Sequence, residues 1–252
     1  MSLNFFDINA FIGRPKGKAR FNPIASSAEL LGAMDTSGIQ KAVLWHISQY
    51  DYSAVEGNRI LNEMVLKTDR LFGCWTLLPP QTGEVITDDF FAGMERNRII
   101  ALRAFPDFHR FFLSRTVFNG FLEEVVARRI PLLLSLARGI SWSGVYNLLQ
   151  DFPDLTCILC EIGLANRFSW PLLEHYPNVY LETSLLSYAA EGIESTVRRF
   201  GARRLVFGTG FPERYHLAAI MGLLHADISN VDKEKIACQN LDNIISGIKY
   251  DK

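Results

Sequence analysis

An α/β protein built as a single-domain (β/α)8 barrel is what the sequence predicts, on three observations. Apolar strand-like runs alternate with helical patterns along the whole chain, in about eight β-then-α units. The 252 residues suit a barrel of that size. The strands are short continuous apolar runs, such as Pro131-Leu-Leu-Leu, Ile158-Leu and Leu205-Val-Phe, which fit a parallel sheet covered on both faces. A doubly wound open sheet is the alternative. It more often shows fewer strands and a Gly-rich phosphate turn after the first, and no G-x-G-x-x-G occurs here. No linker, low-complexity stretch or break in composition divides the chain, so residues 1–252 are read as one domain.

Phe5 to Phe11 reads as the first strand. Ser26-Ser27 offers an N-cap before Glu29, Leu30, Leu31 and Met34, which stand at helical spacing, and Gly38 suits the position just past the helix. Lys41 to Ile47 is the second strand. A helix over Val55 to Leu66 follows, with Ile60, Leu61, Met64 and Val65 on one stripe. Leu71 to Leu78 is the third strand, closed by Pro79-Pro80. A helix around Asp88 to Arg96 leads to the fourth, Ile99 to Phe105, closed by Pro106. The helix Asn119 to Arg129 ends before Pro131, and Leu132 to Leu136 is the fifth strand. Ser143 to Asp151 is helical and precedes the sixth strand, Leu155 to Glu161. A short helix, Trp170 to His175, precedes the seventh, Val179 to Thr183. Glu191 to Phe200 is a helix with Gly201 after it, and Leu205 to Gly208 is the eighth strand. Helices near Leu217 to His225 and Lys233 to Cys238 complete the pattern.

Hydrophobic residues make up 48% and charged residues 21%, ordinary globular usage. That excludes a disordered tail, a collagen-like fibre and a small disulfide scaffold. Lys plus Arg is 26 against 27 Asp plus Glu, so no basic excess calls for nucleic acid. No apolar run approaches the roughly 20 residues that span a bilayer. The opening Met1 to Asp7 lacks a positive region followed by an apolar one, so the cytoplasm is the expected location. Cys157 and Cys160 have C-x-x-C spacing but fall on a strand. Residues three apart there point to opposite faces, so a disulfide or zinc clamp is not expected. With Cys74 and Cys238 they read as small hydrophobes in a reduced compartment. The composition does not decide the oligomeric state, and a homo-oligomer is compatible with it.

Barrels of this type build their sites at the C-terminal ends of the strands. That rule nominates Asn9 and Phe11, Trp45 and His46, Trp75 and Thr76, Arg103, Ser135, Glu161, Thr183 and Ser184, and Thr209 with Gly210. The set is polar and aromatic with one carboxylate, suited to holding a small organic ligand by stacking and hydrogen bonds.

Longer motifs then carry a family resemblance. Phe152-Pro-Asp-Leu, Ile158-Leu-Cys-Glu-Ile-Gly, Tyr176-Pro-Asn-Val-Tyr-Leu-Glu-Thr-Ser, Gly192-Ile-Glu, Arg203-Arg-Leu-Val-Phe-Gly-Thr-Gly-Phe-Pro and Lys235-Ile-Ala-Cys-Gln-Asn-Leu-Asp-Asn-Ile lie in the second half. Asp7-Ile-Asn-Ala-Phe-Ile-Gly and Leu102-Arg-Ala-Phe-Pro-Asp-Phe-His lie in the first. Together they resemble the amidohydrolase-related proteins, metal-dependent hydrolases and decarboxylases with a TIM-barrel fold. The resemblance covers nearly the whole chain and implies that fold. It also implies metal ligands at five positions, and all five differ. The two first-strand histidines are Asn9 and Phe11, the fifth-strand histidine is Ser135, the sixth-strand histidine is Glu161, and the eighth-strand aspartate is Gly210.

A catalytic zinc site needs about three protein ligands and an open position. Phe11 and Gly210 supply no donor, and Asn9 and Ser135 are weak neutral ones. Losing the aspartate also removes the general base for a metal-bound water. No metal ligand set and no cofactor are therefore expected. Glu161 and His109 are the candidate catalytic groups, with Glu161 as acid or base at the mouth or else ion-paired to Arg103. Asn9, Arg103, Ser135, Trp45, Trp75 and Thr209 are the candidate contacts to a ligand. Arg103 can clamp a carboxylate with two parallel hydrogen bonds, or pair with Glu161 or Asp107.

Two functions follow from this reading. The first is a binding or regulatory protein that keeps the pocket, a small carboxylate being a fitting ligand, after loss of metal chemistry. The second is an active hydrolase or lyase using Glu161 as acid or base, without a metal or with an atypical site such as Glu161 and His109. His175, His216 and His225 read as structural residues of the outer helices, and the basic loop Arg14 to Lys18 as solvated.

Overall fold

The computed structural model describes residues 3–163, 166–189 and 191–250; the extreme termini lie outside these, including Met1 and Ser2 of the opening segment read above. Eight strands form one sheet in sequence order, and every neighbouring pair is parallel. They are β1 (Phe5–Ile12), β2 (Ile39–His46), β3 (Leu71–Thr76), β4 (Ile99–Arg103), β5 (Leu132–Ser135), β6 (Cys157–Cys160), β7 (Val179–Glu182) and β8 (Leu205–Val206). Hydrogen bonds from Ile8 N–H to Phe207 O (3.0 Å), Gly210 N–H to Asn9 O (2.9 Å) and Phe11 N–H to Phe211 O (2.9 Å) draw the last strand back to the first. The result is a nearly closed, single-domain (β/α)8 TIM barrel.

A main helix follows each strand: α1 (Ser27–Ser37), α2 (Ala54–Val65), α3 (Phe90–Arg96), α4 (Arg115–Ala127), α5 (Trp142–Asp151), α6 (Asn166–His175), α7 (Gly192–Phe200) and α8 (His216–His225). The caps read from the sequence are present. Ser26 Oγ accepts from Glu29 N–H at the start of α1, and Gly38 ends it in the left-handed region at φ 75°. Several boundaries differ from expectation: α6 begins at Asn166 rather than Trp170, β6 and β8 are shorter, and two helix ends shift for a visible reason. Helix α4 begins at Arg115, four residues before Asn119, because Ser114 opens the helix with an extended backbone. The final helix does not stop at Cys238: Asn230–Glu234 passes through a π-helical segment, Lys235–Gln239, into Asn240–Ser246.

Alternation along the strands sorts the core into two clusters. Ile8, Val43, Cys74, Leu133, Ile158 and Val206 belong to the one inside the barrel. Leu44, Leu102, Leu134, Leu159, Leu61 and Val125 belong to the layer between strands and helices. Cys160 falls in the first and Cys157 in the second, so the C-x-x-C thiols do face apart, and all four cysteines are free. Among the described residues, no helix is long and apolar enough to cross a membrane.

Candidate functional site

The top of the barrel interior is polar, and its charges are buried. Arg103, the last residue of β4, is wholly buried. Its Nη2 donates to Asn9 Oδ1 on β1 at 2.7 Å. Its guanidinium carbon lies 4.9 Å from the Trp45 ring centroid and 5.9 Å from that of Phe105. Its Nε and Nη1 meet no oxygen or nitrogen acceptor, and Trp45 Nε1 on β2 and Thr76 Oγ1 on β3 have no hydrogen-bond partner. Unpaired buried groups thus stand at the C-terminal ends of three consecutive strands. The neighbouring Cys74 thiol is pushed up to about 11 by burial, against the Arg103 charge and a weak hydrogen bond from its guanidinium.

Opposite them stands Glu161, directly after β6, with a left-handed backbone at φ 58°. One carboxylate oxygen accepts from Ser135 Oγ on β5. The other accepts from Arg214 Nη1 at 3.2 Å, with Arg138 Nε at 3.6 Å. Arg138 in turn bonds Glu213. Burial alone would raise the Glu161 pKa, but Arg138, Ser135, Arg103 and Arg214 together hold it below the ordinary carboxylate range. Glu161 is therefore an ionised counter-ion at neutral pH. Its partners are the two loop arginines. The direct Arg103–Glu161 and Arg103–Asp107 pairs expected from the sequence do not form: Arg103 hydrogen-bonds Asn9 instead, and Asp107 is exposed.

Two further buried carboxylates lie beneath. Glu182, ending β7, accepts from Ser184 Oγ (2.8 Å), Glu161 N–H (3.2 Å) and Asn9 Nδ2 (3.5 Å). Burial pushes its pKa up to about 7, with the Glu161 charge adding to the rise. Asp7 in β1 accepts from Asn9 N–H (2.9 Å), Thr209 N–H (3.0 Å) and Thr209 Oγ1 (2.5 Å). Burial raises it to about 6 against those bonds. Sequence reasoning nominated neither. The signal was a carboxylate within an apolar strand, Phe5-Phe6-Asp7-Ile8 and Val179-Tyr-Leu-Glu182, where burial of a charge calls for a specific partner.

Of the predicted residues, Asn9, Trp45, Arg103, Ser135, Glu161 and Thr209 come together at this mouth. Trp75 does not. On β3 the interior positions are Cys74 and Thr76, so Trp75 points outward, donating from Nε1 to Asn62 Oδ1 on α2 (2.8 Å) and packing on Phe90 of α3 (5.4 Å between centroids). His109 lies on a one-turn helix, Pro106–His109, rather than in a loop. It bonds Tyr50 O through Nε2 at 3.2 Å, its buried Nδ1 is unpaired, and burial lowers its pKa, so it stands neutral. His46 is buried, and its Nδ1 accepts from Ser48 N–H (3.2 Å). His216, also buried, stacks on Phe211 at 3.9 Å.

These residues do not fit a divalent metal. Among the described residues, no three His, Cys, Asp or Glu side chains converge as a ligand set. Phe11 presents a ring to the Arg138 guanidinium at 5.2 Å. Asn9 is engaged between Arg103 and Glu182, Ser135 donates to Glu161, and both Glu161 oxygens face donors. Three guanidinium groups around one ionised carboxylate repel a further cation.

A sequence model of the amidohydrolase family matches residues 13–240. No curated protein matches. Solved structures of the same architecture do. An uncharacterized TIM-barrel protein from Bordetella bronchiseptica is 16% identical over 97% of this chain and 99% of its own, with a TM-score of 0.74. A probable 2-pyrone-4,6-dicarboxylic acid hydrolase from Acinetobacter baumannii, with citric acid bound, is 14% identical over 97% and 100%, at 0.73. The 5-carboxyvanillate decarboxylase from Novosphingobium aromaticivorans, complexed with manganese and 4-hydroxy-3-methoxy-5-nitrobenzoic acid, is 14% identical over 97% and 96%, at 0.75. Identities this low establish the shared fold alone.

Proposed function

The chain belongs to the amidohydrolase family, and from that premise we propose that it binds a small organic carboxylate at the C-terminal mouth of the barrel and has lost the metal-dependent hydrolase or decarboxylase mechanism. One observation carries this reading: a wholly buried Arg103 whose Nε and Nη1 meet no oxygen or nitrogen acceptor in the protein, the Cys74 thiol being the polar group beside the guanidinium. Burying a cation is costly unless its donors are met. A carboxylate meets them with two parallel charge-assisted bonds. Trp45 Nε1 and Thr76 Oγ1 add two neutral donors on the same side, and the Trp45 and Phe105 rings supply flat apolar walls. Asn9 fixes the guanidinium from behind. Glu161, ionised and tied to Arg138 and Arg214, sets the opposite wall and the orientation of the ligand. The citric acid and the nitrobenzoic acid in two of the similar structures are carboxylates, in keeping with such a ligand.

Isothermal titration with citrate and with 2,6-dihydroxybenzoate tests the reading. Saturable binding is expected, with no carbon dioxide release or hydrolysis in the presence or absence of added Mn²⁺. Manganese-dependent turnover would sink it. A second reading, acid–base catalysis centred on Glu161, is favoured by the neighbouring Glu182. Two adjoining carboxylates whose pKa values are driven apart are a common acid–base arrangement. Turnover by metal-free protein, abolished by Glu161→Gln, would decide for that reading.

A further inference from the structure

We propose that the Arg214 guanidinium is the resident cation of this barrel mouth: it occupies the ground beside Glu161 that a divalent metal would need, and keeps that metal out. The inference goes beyond the ligand-binding reading and does not depend on it, since it says what took the metal's place.

The space is defined by Gly210. A Cβ at that position would stand 2.8 Å from Arg214 Nη1, so the guanidinium lies where any side chain at 210 would begin. The same Nη1 reaches Glu161 Oε1 at 3.2 Å. Arg138 approaches that oxygen at 3.6 Å, and Ser135 holds the other. A metal ion on Glu161 must therefore expel one guanidinium and sit beside a second. Both arginines are fixed from loops above the barrel, Arg214 after β8 and Arg138 after β5, and Arg138 is anchored further by Glu213. The arrangement also makes Gly210 a steric requirement. Its φ of 69° favours glycine, and its missing side chain leaves the room that Arg214 fills.

The test uses the protein purified without chelator. Elemental analysis is expected to find no stoichiometric manganese, zinc or iron. Titration with Mn²⁺ to about 1 mM should leave the free-ion paramagnetic resonance signal undiminished, which places any affinity weaker than that. Arg214→Ala should lower the thermal midpoint. Methylguanidinium at millimolar concentration should restore it, methylammonium at equal ionic strength should not, and the double variant Glu161→Gln/Arg214→Ala should lose the rescue, because a planar fork fits the carboxylate and a point charge does not. Should Arg214→Ala fail to fold, Gly210→Ala serves in its place, compared with Gly163→Ala. Both glycines have positive φ, but a Cβ at 163 meets nothing within 4 Å. The larger loss of midpoint is expected at 210. Stoichiometric Mn²⁺ bound by the wild type and lost in Glu161→Gln overturns the proposal. So does an unchanged midpoint in Arg214→Ala, absence of methylguanidinium rescue in the folded variant, or equal losses at 210 and 163.

Discussion

Replacing Arg103 by methionine separates a residue kept for a ligand from one kept for the fold. Methionine retains most of the volume and gives up the charge. On the cost side, Asn9 Oδ1 loses its 2.7 Å partner, about 1–3 kcal/mol. The contacts with the Trp45 and Phe105 rings are lost as well, about 0.5–2 kcal/mol. On the other side, a cation with two unpaired donors is no longer held out of water. Apolar replacement of buried ionic groups is often neutral or stabilising by about 1–4 kcal/mol. The contributions nearly cancel, and the net change in stability should stay within about 2 kcal/mol. Affinity for a carboxylate should behave differently. Losing a buried charge-assisted partner costs about 2–5 kcal/mol, roughly 30-fold to several-thousand-fold in Kd. Urea denaturation reads the first quantity, and isothermal titration with citrate the second. A destabilisation above about 3 kcal/mol with citrate affinity unchanged would show that Arg103 serves the barrel and not a ligand.

As pH rises from about 4 to about 7, Asp7 and Glu182 should withdraw a few kcal/mol of stability, against an opposite gain from His46, His109 and His216, whose pKa values burial lowers. Glu182→Gln should therefore gain stability relative to the wild type as pH rises. The sign follows from Asp7 and Glu182, raised by burial to about 6 and about 7: the folded state holds their protons where the unfolded state has released them. Glu161, held low, acts oppositely and costs stability only as pH falls below the ordinary carboxylate range. A difference in urea midpoint between Glu182→Gln and the wild type that stays constant from pH 5 to 7.5 would contradict this. Trp75→Phe should leave citrate affinity unchanged and cost about 1 kcal/mol through the lost bond to Asn62, since the indole faces the helices; a loss of affinity would place Trp75 at the mouth after all.

The barrel was legible because each unit carries local signals: a strand-length apolar run, a Ser cap, a Gly or Pro stop. Boundaries slipped where those signals are weak. The start of α4 at Arg115 is set by Ser114, and the last helix runs past Cys238 through a π-helical turn that no residue pattern announces. The site was legible by height and less so by direction. The strand-end rule found Asn9, Arg103, Ser135, Glu161 and Thr209, but it placed Trp75 with them. Alternation with Cys74 and Thr76 turns that indole outward. Arg138 and Arg214 carry no local mark at all. Each is an arginine in a loop, given meaning only by a carboxylate 23 or 53 residues away in the chain.

Those long-range partners explain how the mouth stays ordered with the expected ligand positions changed. A metal bound by side chains from several strands would cross-link them. Here the same positions cross-link the strands by hydrogen bonds. Asn9 joins β1 to β4 through Arg103 and approaches Glu182 on β7. Asp7 joins β1 to the turn after β8 through Thr209, and Ser135 joins β5 to the end of β6 through Glu161. Glu182 then ties β7 to the Glu161 backbone. A buried polar network is tolerable only where its members are satisfied, and on this side of the mouth they nearly all are. Among the described residues, four unpaired buried side-chain atoms, Arg103 Nε and Nη1, Trp45 Nε1 and Thr76 Oγ1, lie together on β2, β3 and β4; the others are His109 Nδ1, Arg138 Nε, Trp170 Nε1 and His216 Nε2. The four on neighbouring strands stand around the Arg103 guanidinium, which feels the Glu161 charge but makes no direct bond to it, and on the proposed reading a carboxylate would meet those donors.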